Sequence, residues 1–386
     1  MRPNRRPEHG SLVGRRRTRR AAGSTRFLLV AACLVALARP GQAEERLLVR
    51  GLGDVEAWNT GPDNEAFSRD NGETAALGRL RLWAVGVFTD QLHVVLVGDV
   101  VGGDASGYDK LEGNLEQAYV RYDFGGSAPV MVQGGKLTMP VGNFARRYYS
   151  DQNPLIGNPQ DYEISYPLGI QVNGAVSWFD YVAAVVDEPF TREDYDDSEP
   201  ESSPRPALAA GVTPITGLRI GAYYTRGEYL SLIAETWLLP GKTLSDYHEK
   251  VTGLDLQYSI GHFELNGEVT QTRLEVPAAE NARGRIWYVE PKYTFSPRWY
   301  GALRWERGDQ AVAYWIWNAI WSAEQQRVDN LEAALGFRID RGLLVKASYR
   351  TTLRDPEGAE WDPQGEGVAL QISYRFDVNS WFDRPR

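Results

Sequence analysis

The residues in this sequence best placed for chemistry are charged rather than nucleophilic. Arg146, Arg147, Tyr148 and Asp151, with Asp161 and Glu163 further on, gather both signs of charge and a phenol in one Pro-containing stretch, 141–165. In a narrow, poorly hydrated place such groups sort ions electrostatically, arginines favouring anions and carboxylates favouring cations. A second set of charges recurs singly along the chain: Arg79, Arg81, Arg121, Lys136, Glu264, Glu268, Glu290, Lys292, Arg304, Lys346, Arg350 and Arg375. Bond-making chemistry has less to draw on. Beyond the first 43 residues the histidines are His93, His248 and His262, and none belongs to a nucleophile elbow, a zinc-ligand spacing or a Gly-rich phosphate loop. The sequence therefore predicts no catalytic residues, cofactor or metal, and the enzymatic alternative is a lipase- or protease-type site around His248.

The elements that must carry these charges alternate with a period of two for about ten residues at a time, as a tilted membrane strand does. Val368, Leu370, Ile372, Tyr374 and Phe376 fall on one face, against Ala369, Gln371, Ser373, Arg375 and Asp377 on the other. Leu254, Leu256 and Tyr258 stand likewise against Asp255, Gln257 and Ser259. The pattern predicts sixteen strands near 46–58, 75–89, 91–103, 113–124, 129–140, 166–178, 180–188, 206–213, 218–228, 250–260, 261–273, 284–296, 298–308, 328–340, 342–354 and 366–377. Turn residues reverse the chain tightly at alternate connections, whereas 59–74, 104–112, 141–165, 189–205, 229–249, 274–283, 309–327 and 355–365 are long and polar.

Short turns on one rim and long loops on the other predict an all-β, transmembrane, antiparallel up-and-down β-barrel over 44–386, with periplasmic turns and extracellular loops. A soluble β-sandwich also alternates, but its strands average about five or six residues. Trp58, Trp178, Trp287, Trp299, Trp305, Tyr122 and Phe376 fall near strand ends, where rings suit a headgroup interface. On this register the second set of charges faces a water-filled lumen.

Residues 1–43 read differently: ten arginines and one acid, an apolar run at 27–37, then Gly41 and Ala43 before Glu44. This order predicts a cleaved signal peptide and export to the outer membrane. A lipoprotein signal ending at Cys33 is the competing reading, since Val30, Ala31 and Ala32 precede that cysteine. Cleavage after Ala43 leaves no cysteine, and 32 basic against 50 acidic residues, a formal charge of −18. That balance argues against a nucleic-acid partner. The acidic run Glu193, Asp194, Asp196, Asp197, Glu199 and Glu201 reads as a solvated loop suited to divalent cations bridging lipopolysaccharide.

Residues 115–122 (LEQAYVRY), 135–142 (GKLTMPVG), 214–221 (PITGLRIG) and 287–293 (WYVEPKY) resemble the outer-membrane porin group that includes the phosphate-selective porins O and P. The resemblance implies a sixteen-stranded barrel, usually a trimer, whose third long loop folds inward and narrows the pore. It makes 141–165 the constriction and small polar or charged solutes the cargo. The mixed charges on the lumen face depart from the dense basic lining of the phosphate-selective members. An outer-membrane enzyme and a plugged structural or adhesive barrel remain as alternatives to the channel.

Overall fold

Period-two alternation lets each strand give one face to lipid and the other to water, and closure pairs every edge. A computed structural model of the chain describes residues 46–60, 74–103, 108–126, 129–159, 164–191, 203–316, 320–352 and 365–379. Its strands are β1 (Arg46–Thr60), β2 (Thr74–Val87), β3 (Leu92–Gly103), β4 (Tyr108–Asp123), β5 (Val130–Lys136), β6 (Leu168–Val176), β7 (Phe179–Val186) and β8 (Arg205–Ile215). The second half holds β9 (Leu218–Glu228), β10 (His248–Ile260), β11 (Phe263–Leu274), β12 (Ala282–Thr294), β13 (Trp299–Ile316), β14 (Ile320–Arg338), β15 (Leu343–Thr352) and β16 (Gly365–Asp377). Each pairs antiparallel with its neighbours in chain order, and β1 closes the barrel on β16, from Arg50 opposite Asp377 to Thr60 opposite Gly367.

The predicted faces hold. Leu254, Leu370 and Ile372 are 58%, 59% and 51% exposed, whereas Gln371 and Ser373 are buried inside. An apolar surface of this extent on a closed barrel is what lipid covers. Trp178, Phe295 and Trp299 stand exposed at the turn rim, and Trp299 packs on Phe337 at 4.4 Å between ring centres. Trp58 is a correction. It pairs with buried Ala369 rather than with the lipid-facing row, and lines an internal cavity with Glu56 and Arg79.

Besides β4, which starts at Tyr108 rather than near 113, two regions depart from the predicted boundaries. The expected loop 309–327 is instead a continuation of β13 and β14, paired out to Ile316 opposite Ile320. Apolar packing supports the extension, because Ala311, Ala313 and Trp321 bury against Tyr229, Leu230, Leu244 and Tyr247 of the 229–247 connection. Gly284 permits the crossing there, since a Cβ would meet the Ala311 nitrogen at 2.3 Å and the Asp309 oxygen at 2.5 Å. The other departure is β5, which ends at Lys136 and not near 140. From there the chain enters the barrel interior.

Candidate functional site

The connection between β5 and β6 leaves the wall as a two-stranded neck, Leu137 N–H donating to Pro167 O (2.8 Å) and Met139 N–H to Ser165 O (3.0 Å). Its apolar residues Met139, Val141 and Phe144 pack on the inner faces of β7 to β10 and β12 through Ala184, Val186, Ala207, Tyr223, Val251 and Tyr288. Hydrophobic side chains at inward positions are the reason the loop folds in, for they would otherwise face lumen water. A one-turn 3-10 helix, Phe144–Arg146, then turns the chain along the wall.

Beyond it, polar side chains of the wall satisfy the loop's backbone. Lys346 is 1% exposed and donates to three loop carbonyls, Ser150 O (2.7 Å), Asn153 O (3.1 Å) and Leu155 O (2.8 Å). Glu332 accepts from the Ile156 and Gly157 N–H groups at 3.1 and 2.9 Å. Arg304 donates to Gly157 O (2.8 Å) and Asn153 Oδ1 (3.0 Å) while holding Glu290 at 2.6 Å. Arg350 donates to Asn158 O at 3.0 Å, and Tyr300 to Pro154 O at 3.1 Å. Glu268 accepts from the Asn143 N–H at 3.2 Å. Each inward charge thus meets loop dipoles or an opposite charge, as a buried charge requires.

The predicted loop residues separate into distinct roles. Arg147 is bonded to Glu290 and donates to Tyr288 at 3.2 Å. Burial opposes its charge, but Glu290 and Tyr288 outweigh that and raise its pKa. Arg146 lies near Arg219, Asp180, Asp255 and Glu268, and burial followed by the Arg219 charge lowers its pKa. The carboxylate facing Arg147 is therefore Glu290 of the wall and not Asp151, which is bonded to Arg375. Tyr148 bonds Tyr166, and its neighbour Tyr149 lies under the Arg81 guanidinium at 4.7 Å. Asp161 and Glu163 lie outside the described residues, as do 1–45 and the acidic run from Glu193 to Glu201.

Arg79 and Arg81 face inward toward Asp99, and Arg81 is clamped by Glu116 at 2.6 and 2.7 Å. Arg121 pairs with Asp123, and Lys292 with Glu264 at 2.7 Å. Lys136 is corrected. Its register partners are Ala118 and Leu168, which share the lipid-facing side with Leu96 and Ile170, and its ammonium reaches Leu115 O at 2.8 Å. A lysine at the end of a strand can lie on that face and carry its charge to the rim.

Several contributors lie outside the candidate site residues, Asp255 and Gln257 among them although both belong to the predicted polar face. Asp54 bonds Ser150, Gln257 bonds Asn143, and Arg219 bridges Asp180 (2.8 Å) and Asp255 (2.5 Å). All but Ser150 and Asn143 sit at inward strand positions, so alternation alone can find them. Glu116 is different. Val97 pairs with Gln117 but Gly98 with Leu115, so a bulge leaves Glu116 unpaired and turns both it and Gln117 inward.

One cavity of about 290 Å³ borders the loop and is lined by Glu56, Arg79, Arg81, Tyr148, Asn158 and Arg350; another of about 400 Å³ lies toward the turn rim beside Gly217, Arg219, Gln257, Glu264 and Asn266. The histidines are dispersed: His93 faces Asp123, His248 faces Glu275 at the loop rim, and His262 meets Tyr293 edge-on at the turns. Among the described residues no three His, Cys, Asp or Glu side chains gather to hold a metal.

No protein-family model matches the chain, and neither does any curated protein. Solved structures do. OmpF of Salmonella typhi, in a complex with daunomycin, superposes with a TM-score of 0.59 at 11% identity, over 86% of this chain and 98% of that one. An anion-selective porin from Comamonas acidovorans gives 0.59 at 11% identity, over 86% and 100%. OmpT, an outer membrane protein of Vibrio cholerae described as a trimer, gives 0.53 at 13%, over 86% and 100%. At these identities the likeness concerns the fold, and the fold of this chain is that of a porin-like outer-membrane β-barrel.

Proposed function

We propose that the barrel is an outer-membrane channel for passive diffusion of small polar or charged solutes, with the inward loop as its constriction. The observation that carries this reading is the anchoring of 150–158 by Lys346, Arg304 and Glu332, which holds a charged loop across the interior of a barrel wide enough for water. Solutes pass beside the loop through the polar cavity lined by Glu56, Arg79, Arg81 and Arg350. Arg146, together with the partly exposed Arg79 on the opposite wall, biases the passage toward anions, while Arg81 and Arg147 are offset by Glu116 and Glu290. Assembly as a trimer, removal of residues 1–43 and contact with lipopolysaccharide belong to the same reading, supported by the sequence pattern and by the fold.

Planar-bilayer recording tests it. Stepwise, ohmic conductance increments are expected from the refolded protein. A second reading, a barrel closed by its loop, is favoured by contacts that reach β1 through Asp54, β2 through Arg81, β10 through Gln257, β15 through Lys346 and β16 through Arg375. A silent bilayer containing folded protein would select that reading and reject the channel.

A further inference from the structure

The cavity of about 290 Å³ between the inward loop and β1, β2, β15 and β16 is lined by two charges that the anchoring of the loop does not use, Glu56 and Arg79. Each is braced from one side and left open on the other. Glu56 Oε2 accepts from Gln371 Nε2 at 2.7 Å, and no donor meets Oε1 among the described residues. Arg79 Nε lies 3.5 Å from Asp99 Oδ2 without hydrogen-bond geometry, and the side chain is 33% exposed. Its two terminal nitrogens have no partner among the described residues. The register sets Arg79 opposite Asp54 and Glu56 opposite Leu77, so the pair are diagonal neighbours, about 7–8 Å apart at the backbone. They do not pair with each other, because Gln371 and Asp99 hold them apart.

A carboxylate and a guanidinium held apart across one cavity suit a solute that carries both charges. The guanidinium fork takes a carboxylate bidentately, and a free carboxylate oxygen accepts from an ammonium. Trp58 and Ile156 line the same cavity and give it an apolar side. Charge balance disfavours other solutes. Arg81 is bonded to Glu116, Arg350 lies 3.8 Å from Glu306, and Arg79 has Asp99 beside it, which leaves too little positive surplus to hold a multivalent anion. A solute with a single charge satisfies either Glu56 or Arg79 and displaces water from the other without replacing its hydrogen bonds. The volume is near the lower limit of pockets that hold small molecules, about 300 Å³, so the solute is of amino-acid size.

We infer that Glu56, Arg79 and Trp58 form a binding site for a small zwitterion, an α-amino acid with an apolar side chain. Its carboxylate sits on Arg79, its ammonium on Glu56 Oε1, and its side chain between Trp58 and Ile156. This deepens the channel reading, on which it rests, by naming the class of solute that lingers beside the loop.

The test is titration calorimetry on the refolded barrel in detergent with three solutes of one shape: L-phenylalanine, 3-phenylpropanoate, which lacks the ammonium, and phenethylamine, which lacks the carboxylate. Wild type should hold phenylalanine about tenfold more tightly than either analogue, the factor that one hydrogen bond to a charged group supplies. Glu56→Gln should erase the preference over 3-phenylpropanoate, and Arg79→Gln the preference over phenethylamine. The comparison of solutes on wild type decides the matter by itself if a variant folds poorly. Equal binding of phenylalanine and 3-phenylpropanoate by wild type would make this a plain anion site and overturn the inference, and so would a preference left unchanged in either variant. Calorimetry does not depend on conduction, so a silent bilayer beside intact preferences would reject the channel and leave the site standing.

Discussion

Replacing Lys346 by Met removes the ammonium that donates to Ser150, Asn153 and Leu155 and leaves three loop carbonyls facing an apolar side chain. A hydrogen bond to a charged group contributes about 1.5–3 kcal/mol, and removing one partner of a buried ionic set costs about 3–5 kcal/mol. Lumen water can reach some of the released carbonyls, which places the effect at the lower end, about 3 kcal/mol. Because each 1.4 kcal/mol is a factor of ten, the ratio of docked to undocked loop falls on the order of 100-fold. Pairing of Lys346 with Gly336 and Gln371 runs through the backbone, so the barrel itself stays closed. Single-channel recording should then show open-channel noise and brief high-conductance substates absent from the wild type, with an unchanged folded band in a heat-modifiability gel. Traces identical to wild type would refute the assignment of Lys346 as the loop's anchor.

Other substitutions probe the faces, the charges and the backbone. Arg at Leu254, which faces lipid, should cost about 2–4 kcal/mol of folding stability by denaturant titration if it lies near mid-membrane, whereas Arg at Asn266, beside the internal cavity, should cost little. Equal costs would invert the register. Arg146→Glu should move the reversal potential in a salt gradient toward cations, and the shift should persist when the Debye length falls from about 8 Å to about 3 Å at 1 M salt, because the charge acts at close range. An unchanged potential would place Arg146 away from the ion path. Gly135 has φ of 144°, and a Cβ there would meet Ala118 O at 2.2 Å, so Gly135→Ala should lower stability by about 1–3 kcal/mol and loosen the β4–β5 pairing next to the loop's entry. Hydrogen exchange at Tyr119 and Gly135 checks this locally.

Alternation decided most of the barrel from sequence alone. Side chains in a strand change face at each residue, so Leu370 and Ile372 against Gln371 and Ser373 could be oriented without knowing their neighbours, and the even strand count followed from turn spacing. The same parity identified Arg304, Lys346 and Glu290 as inward. It failed where one residue breaks the count, as the bulge at Glu116 turns adjacent residues to one face; Lys136 is another case, since unbroken alternation puts it on the outward face with Val130 and Val132 and only its charge suggested the lumen. Trp58 shows a different limit, since an aromatic ring suits both a headgroup interface and a packed interior, and only its pairing with Ala369 selects the inside. The long β13–β14 hairpin depended on apolar partners from the 229–247 connection, distant in sequence, which no local pattern of polar residues reveals. The pairing of the loop charges was also beyond the sequence. Arg147 could meet any carboxylate within its reach, and the choice of Glu290 over Asp151 follows from where the neck at Leu137 and Met139 and the apolar contacts of Phe144 bring the guanidinium. Local chemistry fixes which groups need partners, but side chains as far apart as Glu56 and Gln371, separated by 315 residues, become partners only once closure of the barrel sets their positions.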